Sequence, residues 1–204
     1  MIRKPLFALA LLAATPAFAS PILVDFEKTW NYANGDVNDY YNGGSAADGT
    51  AGVNLGVSFV GMSGLSNDAG FTYYTNAPSM QGTAYAYGTA FMNVAAGWDT
   101  GLSFYYSSPD AVIDAVKAYS GLNGTGILLG SFNLAANNGG DYDTWNQVTF
   151  LFGGTARSFD FTAAGAGFVG LDAIGSVPET AVSLLFAAGL IVLGAISRRD
   201  KASV

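Results

Sequence analysis

The sequence predicts an all-β domain, a two-sheet sandwich, held between a signal peptide and a membrane-length tail. Three observations carry that expectation. Glycine supplies 27 of the 204 residues and aromatics 14%, while charged residues make up only 11%. Such a mix suits short strands joined by tight turns. Asn-Gly pairs at Asn34-Gly35, Asn42-Gly43, Asn123-Gly124 and Asn138-Gly139 supply the positive φ angles that hairpins and bulges require. Between these breaks lie ten short β-branched and aromatic runs with no helical period separating them.

The chain opens on Arg3 and Lys4, an apolar stretch over 6–14, and Ala17-Phe18-Ala19. A positive end, a short greasy segment and a small-x-small site describe a secretory signal peptide over 1–19, with Ala17 and Ala19 marking a cleavage site that ends at residue 19. A buried first helix is the alternative, but Thr15, Pro16 and Ser20-Pro21 would stop it after too few residues.

The body, 20–176, has the size of one domain with a real core. Strands are expected at 22–27, 57–62, 71–74, 85–94, 101–107, 115–119, 126–134, 147–152, 158–162 and 168–174. Residues 111–117 also fit a helical turn that would pair Asp114 with Lys117 at i, i+3, but the flanking signals favour a strand. Phe159 and Phe161 share a face opposite Ser158 and Asp160, as the two-residue period of a strand requires. The polar loops over 34–53 and 135–144 are expected to be the flexible parts.

The tail, 177–204, has three parts. Val177-Pro178-Glu179-Thr180 is followed by a small, apolar run over 181–196 and then by Arg198-Arg199-Asp200-Lys201. With its flanks this run is expected to form a transmembrane segment over 181–197; sixteen residues of helix would reach ~24 Å against a ~30 Å hydrocarbon core, with the arginines snorkelling to the interface. Cations stand on the C-terminal flank alone, so that flank stays in the cytoplasm and the body faces the periplasm.

These residues resemble the PEP-CTERM sorting signal of Gram-negative bacteria that make exopolysaccharide. The match comprises Val177, Pro178 and Glu179, with Arg198 and Arg199 at the basic end; Thr180 stands where the family has its second proline. The resemblance implies an exosortase-type membrane transpeptidase as partner. It also implies a path from the inner membrane to the cell surface or extracellular matrix. The body in turn is similar to the jelly-roll, galactose-binding-like ectodomains found ahead of such tags. Val24-Asp25-Phe26-Glu27, Tyr41-Asn42-Gly43-Gly44, Trp145-Asn146-Gln147-Val148 and Phe168-Val169-Gly170-Leu171-Asp172 carry that similarity. Ala173 departs from the Asp or Asn that the family places beside the acid.

Composition narrows the chemistry. The body has three cations, Lys28, Lys117 and Arg157, against thirteen carboxylates, a net charge of −10. That surface repels phosphate backbones and excludes a nucleic-acid partner. Cysteine and histidine are both absent, so disulfides, His-based triads and zinc drop out. A two-carboxylate glycosidase would remain. Glu27 is the body's only glutamate, however, and no spacing singles out a pair. The chain is therefore expected not to be an enzyme.

Two candidate sites follow. The jelly-roll resemblance implies Ca2+ held by Glu27 and Asp172, at the first and last strands, with Asp36 and Asp39 from the next loop. Calcium takes six to eight oxygens, at ~2.3–2.6 Å. The plainer reading makes these acids solvated strand ends. A second site would bind carbohydrate on loop rings, with Trp30, Tyr40 and Tyr41 as the platform. Tyr32, Tyr73, Tyr74, Trp98 and Trp145 also lie near strand ends, and core packing is the alternative for every ring. Function then has two readings, a structural or interaction protein of the exopolysaccharide matrix and a calcium-dependent carbohydrate-binding module.

Overall fold

A computed structural model describes residues 21–177. The signal peptide with Ala17 and Ala19, and the tail from Pro178 onward, including the span expected over 181–197, lie outside the described residues. Nine strands and one short α-helix, with a 3-10 turn at Tyr32–Asn34, make up the described body. They are β1 Leu23–Val24, β2 Val57–Leu65, β3 Thr83–Trp98, β4 Gly101–Ser107, β5 Val112–Tyr119, β6 Leu128–Leu134, β7 Asn146–Leu151, β8 Ala156–Asp160, α1 Thr162–Ala166 and β9 Gly170–Ser176. The strands run in the order β6-β5-β8-β3-β9-β4-β7, with β1 on β9 and β2 on β3. Every ladder is antiparallel, so the all-β expectation holds.

All nine strands belong to one hydrogen-bonded sheet, and β3 links its two halves. Its start pairs with β9 through Ala84 and Tyr85, and its later part pairs with β8 through Phe91, Met92 and Asn93. β2 follows it on the other side, but the register breaks between Val60 and Met62. Gly61 sits in that break at φ +62, where a Cβ would meet the Thr89 carbonyl oxygen at 2.2 Å. No other residue type fits such a close approach of two backbones.

The two ends of the strand path curl toward each other. Phe132 of β6 meets Phe150 of β7 with ring centroids 5.6 Å apart, and Phe152 bridges Phe150 to Phe159. The result is a nearly closed sandwich filled by Phe104, Phe159, Phe161, Met92, Leu102 and Leu171, all fully buried. Each such side chain stabilises the fold by roughly 1.5–3 kcal/mol. Along β4, Leu102, Phe104 and Tyr106 point inward while Ser103 and Tyr105 are half-buried, the alternation a strand demands.

Several expectations need correction. Residues 71–74 form a loop, because the Asn67 carboxamide takes the amides of Tyr73 and Tyr74 that a ladder would have used. The first strand stops early, since Phe26 adopts φ +56. The strand favoured over a helical turn after residue 111 does form, as β5 at Val112–Tyr119, but it is kinked where Asp114 takes φ +52, and Asp114 still lies 3.6 Å from Lys117. Ser158, opposite Phe159, is buried as well: its hydroxyl accepts from the Gly124 amide and donates to the Gly121 carbonyl. Helix α1 was not expected, as its residues are small and carry no apolar period.

The Asn-Gly pairs divide. Asn123 and Gly124 take φ +52 and +69 while the Thr125 amide donates to the Leu122 carbonyl at 3.1 Å, a type I′ turn ahead of β6. Gly35 instead keeps φ −86 and is required for space, because a Cβ there would lie 2.6 Å from the Gly64 carbonyl oxygen.

Candidate functional site

A cavity of about 350 Å3 opens beside the start of β3. Its walls come from six parts of the chain: Tyr32, Leu65, Tyr73 and Tyr74, Thr83 to Ala86, Tyr142 and Trp145, and Gly165 with Phe168 to Gly170. Three of those parts are loops, and each is held by its own bonds. Asn67 grips the first, accepting from the amides of Tyr73 and Tyr74 and donating to the Tyr74 carbonyl. The second loop is fastened to the first by three bonds. Thr75 donates its amide to the Tyr142 carbonyl at 3.0 Å, the Trp145 indole donates to the Thr75 carbonyl at 3.0 Å, and Asn76 donates to the Asp143 carbonyl at 3.1 Å. The Tyr142 hydroxyl donates to the Phe168 carbonyl at 2.6 Å, tying in the segment before β9.

The rings stand in contact around this space. Tyr32 stacks on Tyr73 with centroids 5.7 Å apart and planes 7° from parallel, and Tyr74 meets Trp145 edge-on at 6.3 Å. Gly170 admits the indole: a Cβ there would approach Trp145 to 3.0 Å. Two of the lining residues hold strained backbones, Tyr142 at φ +50 and Phe168 at φ +54. Left-handed φ is costly for a bulky residue. Phe168 nevertheless leaves 74% of its surface exposed.

No described residue that lines the cavity is an acid or a base. Three of its phenols hold their protons more firmly than a free tyrosine does. Burial pushes Tyr74 up to about 12, helped by the negative charges of Asp172 and Glu27. Desolvation raises Tyr142 as well, and it raises Tyr73 together with the nearby Asp68. The wall is therefore a set of neutral rings and hydroxyls with no general acid or base working near neutral pH. It is suited to binding.

The platform expected at Trp30, Tyr40 and Tyr41 is not on the surface. Trp30 and Tyr41 are each only 2% exposed. The Trp30 indole donates to the Phe26 carbonyl at 2.9 Å and lies against Gly64, with the Lys28 ammonium 4.4 Å above its ring. Tyr41 packs edge-on to Phe26, and the half-buried Tyr40 fills the angle between Trp30 and Tyr41. These rings complete the core, because the loop after β1 lies over the sheet and supplies its missing apolar cover. Trp98 is core too. Tyr32, Tyr73, Tyr74 and Trp145 do gather in one place, while Tyr85, Tyr142 and Phe168 escaped notice. The Tyr85-x-Tyr87 spacing on one strand face was the available signal for the first of them.

The four acids expected around calcium do not form one group; among the described residues no cluster of three or more such side chains could hold a metal. Glu27 and Asp172 do converge on one segment. Asp172 accepts the Ser79 amide at 2.7 Å, and Glu27 accepts the amides of Met80 and Gln81. Asp36 instead bridges to Ser63 through its backbone, and the exposed Asp39 carboxylate sits 3.5 Å from Asn42. In Glu27 and Asp172 each carboxylate oxygen accepts one backbone amide. Of the sorting residues only Val177 is described, its amide donating to the Gly101 carbonyl at 3.1 Å. Pro178, Glu179, Thr180, Arg198 and Arg199 lie outside the described residues.

No family model and no curated protein matches this chain. Among solved structures, one similar chain is the K1 cleaved adhesin domain of Lys-gingipain from Porphyromonas gingivalis W83. It is 14% identical, with a TM-score of 0.44, over 77% of this chain and 97% of that one. A likeness so slight carries no argument about what the cavity binds.

Proposed function

We propose that this chain is an exported, non-catalytic β-sandwich that works as an interaction protein of the cell surface or exopolysaccharide matrix. Residues 1–19 would direct export, and the PEP-CTERM-like tail would hold the precursor in the inner membrane, body outward, for an exosortase-type transpeptidase. The finer fold assignment, a jelly roll of the galactose-binding-like kind, goes with this reading. The pairing of β1 with β9, at Leu23–Gly175 and Val24–Ile174, supports it.

One observation carries the reading: the cavity is walled by neutral aromatic, aliphatic and small side chains and offers no acid–base pair. Such a wall holds a ligand and leaves it chemically unchanged. Mass spectrometry of the mature protein from its own cells tests the sorting, and fractionation tests the address. The expected product begins at Ser20, ends near Glu179 and is recovered with the surface or matrix. A C-terminus at Val204 would replace the sorting tag by a plain anchor. Recovery in the cytosol with Met1 in place would overturn the whole proposal.

A further inference from the structure

We propose that the ring-lined cavity beside β3 is a binding site for a neutral saccharide, roughly one or two sugar rings of a longer chain. This rests on the reading of the protein as a surface or matrix interaction module, and it names the ligand class. The first argument is charge. The body has three cations against thirteen carboxylates, yet none of the described lining residues is charged. An anionic uronate polymer would meet an anionic body with no counter-charge in the cavity. A cation would find no carboxylate there. A neutral ligand fits.

The second argument is the character of the wall. Tyr32, Tyr73, Tyr85 and Tyr142 all bring rings to the wall; the Tyr142 hydroxyl is bonded to the Phe168 carbonyl and the Tyr73 hydroxyl lies 3.5 Å from Asp68, so those of Tyr32 and Tyr85 are the ones with no protein partner among the described residues. Pyranose rings have the matching pair of features, C–H faces that lie on aromatic rings and hydroxyls that exchange hydrogen bonds with phenols. A purely apolar ligand would strip water from those hydroxyls and return nothing, at a cost of about 1–3 kcal/mol for each one left unpaired. At about 350 Å3 the cavity is within the range of small-ligand sites.

The third argument is strain. The Tyr142 hydroxyl bonds the Phe168 carbonyl, and both residues hold left-handed φ angles at the rim of one cavity. Core packing does not account for Phe168, whose ring faces solvent. Backbone strain at ligand-facing positions is retained when it aims a side chain, and here it holds an aromatic ring at the cavity mouth.

Tryptophan fluorescence of the mature exported protein is the test. Trp145 lines the cavity, whereas Trp30 and Trp98 are buried in the core, so a ligand in the cavity changes the emission of one indole. Titration would use neutral gluco-, galacto- and manno-oligosaccharides, with an oligouronate and an apolar peptide as the contrasting arms. At least one neutral oligosaccharide should give a saturable change. Phe168→Ala and Tyr73→Ala should each weaken it about tenfold or more, as loss of a ring anchor does. Both sites lie in loops, and unaltered far-UV circular dichroism would verify that each variant is folded. A flat response to every neutral oligosaccharide, a response to uronate or peptide alone, or wild-type affinity in both variants would each overturn the assignment. Mature termini and surface recovery, measured on the same preparations, separate the two proposals. If those hold while the titration fails, the ligand assignment falls alone.

Discussion

The amide of Ser79 donates to the carboxylate of Asp172 at 2.7 Å, joining residues 93 positions apart in the chain. Asp172 is fully buried and its other oxygen accepts the Ala173 amide at 2.7 Å. Glu27 holds the next two amides of the same segment. Two carboxylates, from opposite ends of the body, thus fasten the stretch that leads into β3 and one wall of the cavity.

This arrangement sets a pH dependence. Burial pushes the Asp172 carboxyl up to about 6, with the charge of Glu27 adding to the rise and the Ser79 and Ala173 amides opposing it. In the unfolded chain the group titrates near 3.9. The folded state therefore holds the proton more tightly, and the resulting stability is fully present below about pH 4 and lost as pH rises through about 6. The loss is on the order of 3 kcal/mol. Urea midpoints at pH 4 and pH 7 should fall with pH in the wild type and much less in Asp172→Asn. Parallel curves would remove Asp172 as the cause.

Ala173 sits in a bulge. Ser103 pairs with Gly175 and Tyr105 with Asp172, leaving β9 one residue longer than β4 across that interval, and Ala173 takes φ +47. The bulge turns Asp172 inward, at the cost of a left-handed alanine. Ala173→Gly should raise stability by about 0.5–1 kcal/mol once glycine's greater unfolded entropy is counted. A lower urea midpoint in that variant would contradict this account of the bulge.

Gly61 predicts the opposite sign. Its φ of +62 and the 2.2 Å approach of the Thr89 carbonyl to any Cβ leave no room for a side chain. Gly61→Ala should destabilise by about 2–4 kcal/mol, through strain and loss of register between β2 and β3. Thermal unfolding reads this directly.

Trp30 separates core from site. Its indole is buried and bonded to the Phe26 carbonyl, so Trp30→Ala should cost about 3–5 kcal/mol by opening a cavity. Denaturation measures that loss. Phe168→Ala should leave the midpoint within about 0.5 kcal/mol, as a change at an exposed ring does. Equal losses in the two variants would erase the distinction between core and cavity rings.

How far the sequence could be read depended on how local each cause is. Strand β4 was legible to the residue because Gly101 and Ser107 bracket an alternating run. The turn at Asn123-Gly124 was legible because two adjacent residues supply both positive φ angles. The loop over 71–74 was misread as a strand, since Tyr73 and Tyr74 have strand-like character and the carboxamide that captures their amides lies six and seven positions away. Glu27 and Asp172 were expected together, and they do meet at one segment. That amides of Ser79, Met80 and Gln81 would claim both could not be read from either acid's neighbours.

By itself the sequence determined the strand class, the acidity of the body and the chemistries ruled out by the lack of histidine and cysteine, because each depends on residue type and short spacing alone. Only the tertiary structure decided which rings are buried and which line the cavity. Trp30 and Trp145 are the same side chain in comparably polar stretches, yet one closes the core and the other lines an opening. Their fates diverge because burial is set by what the rest of the chain brings across from them: Gly64 and Phe26 for the first, Gly170 and empty space for the second.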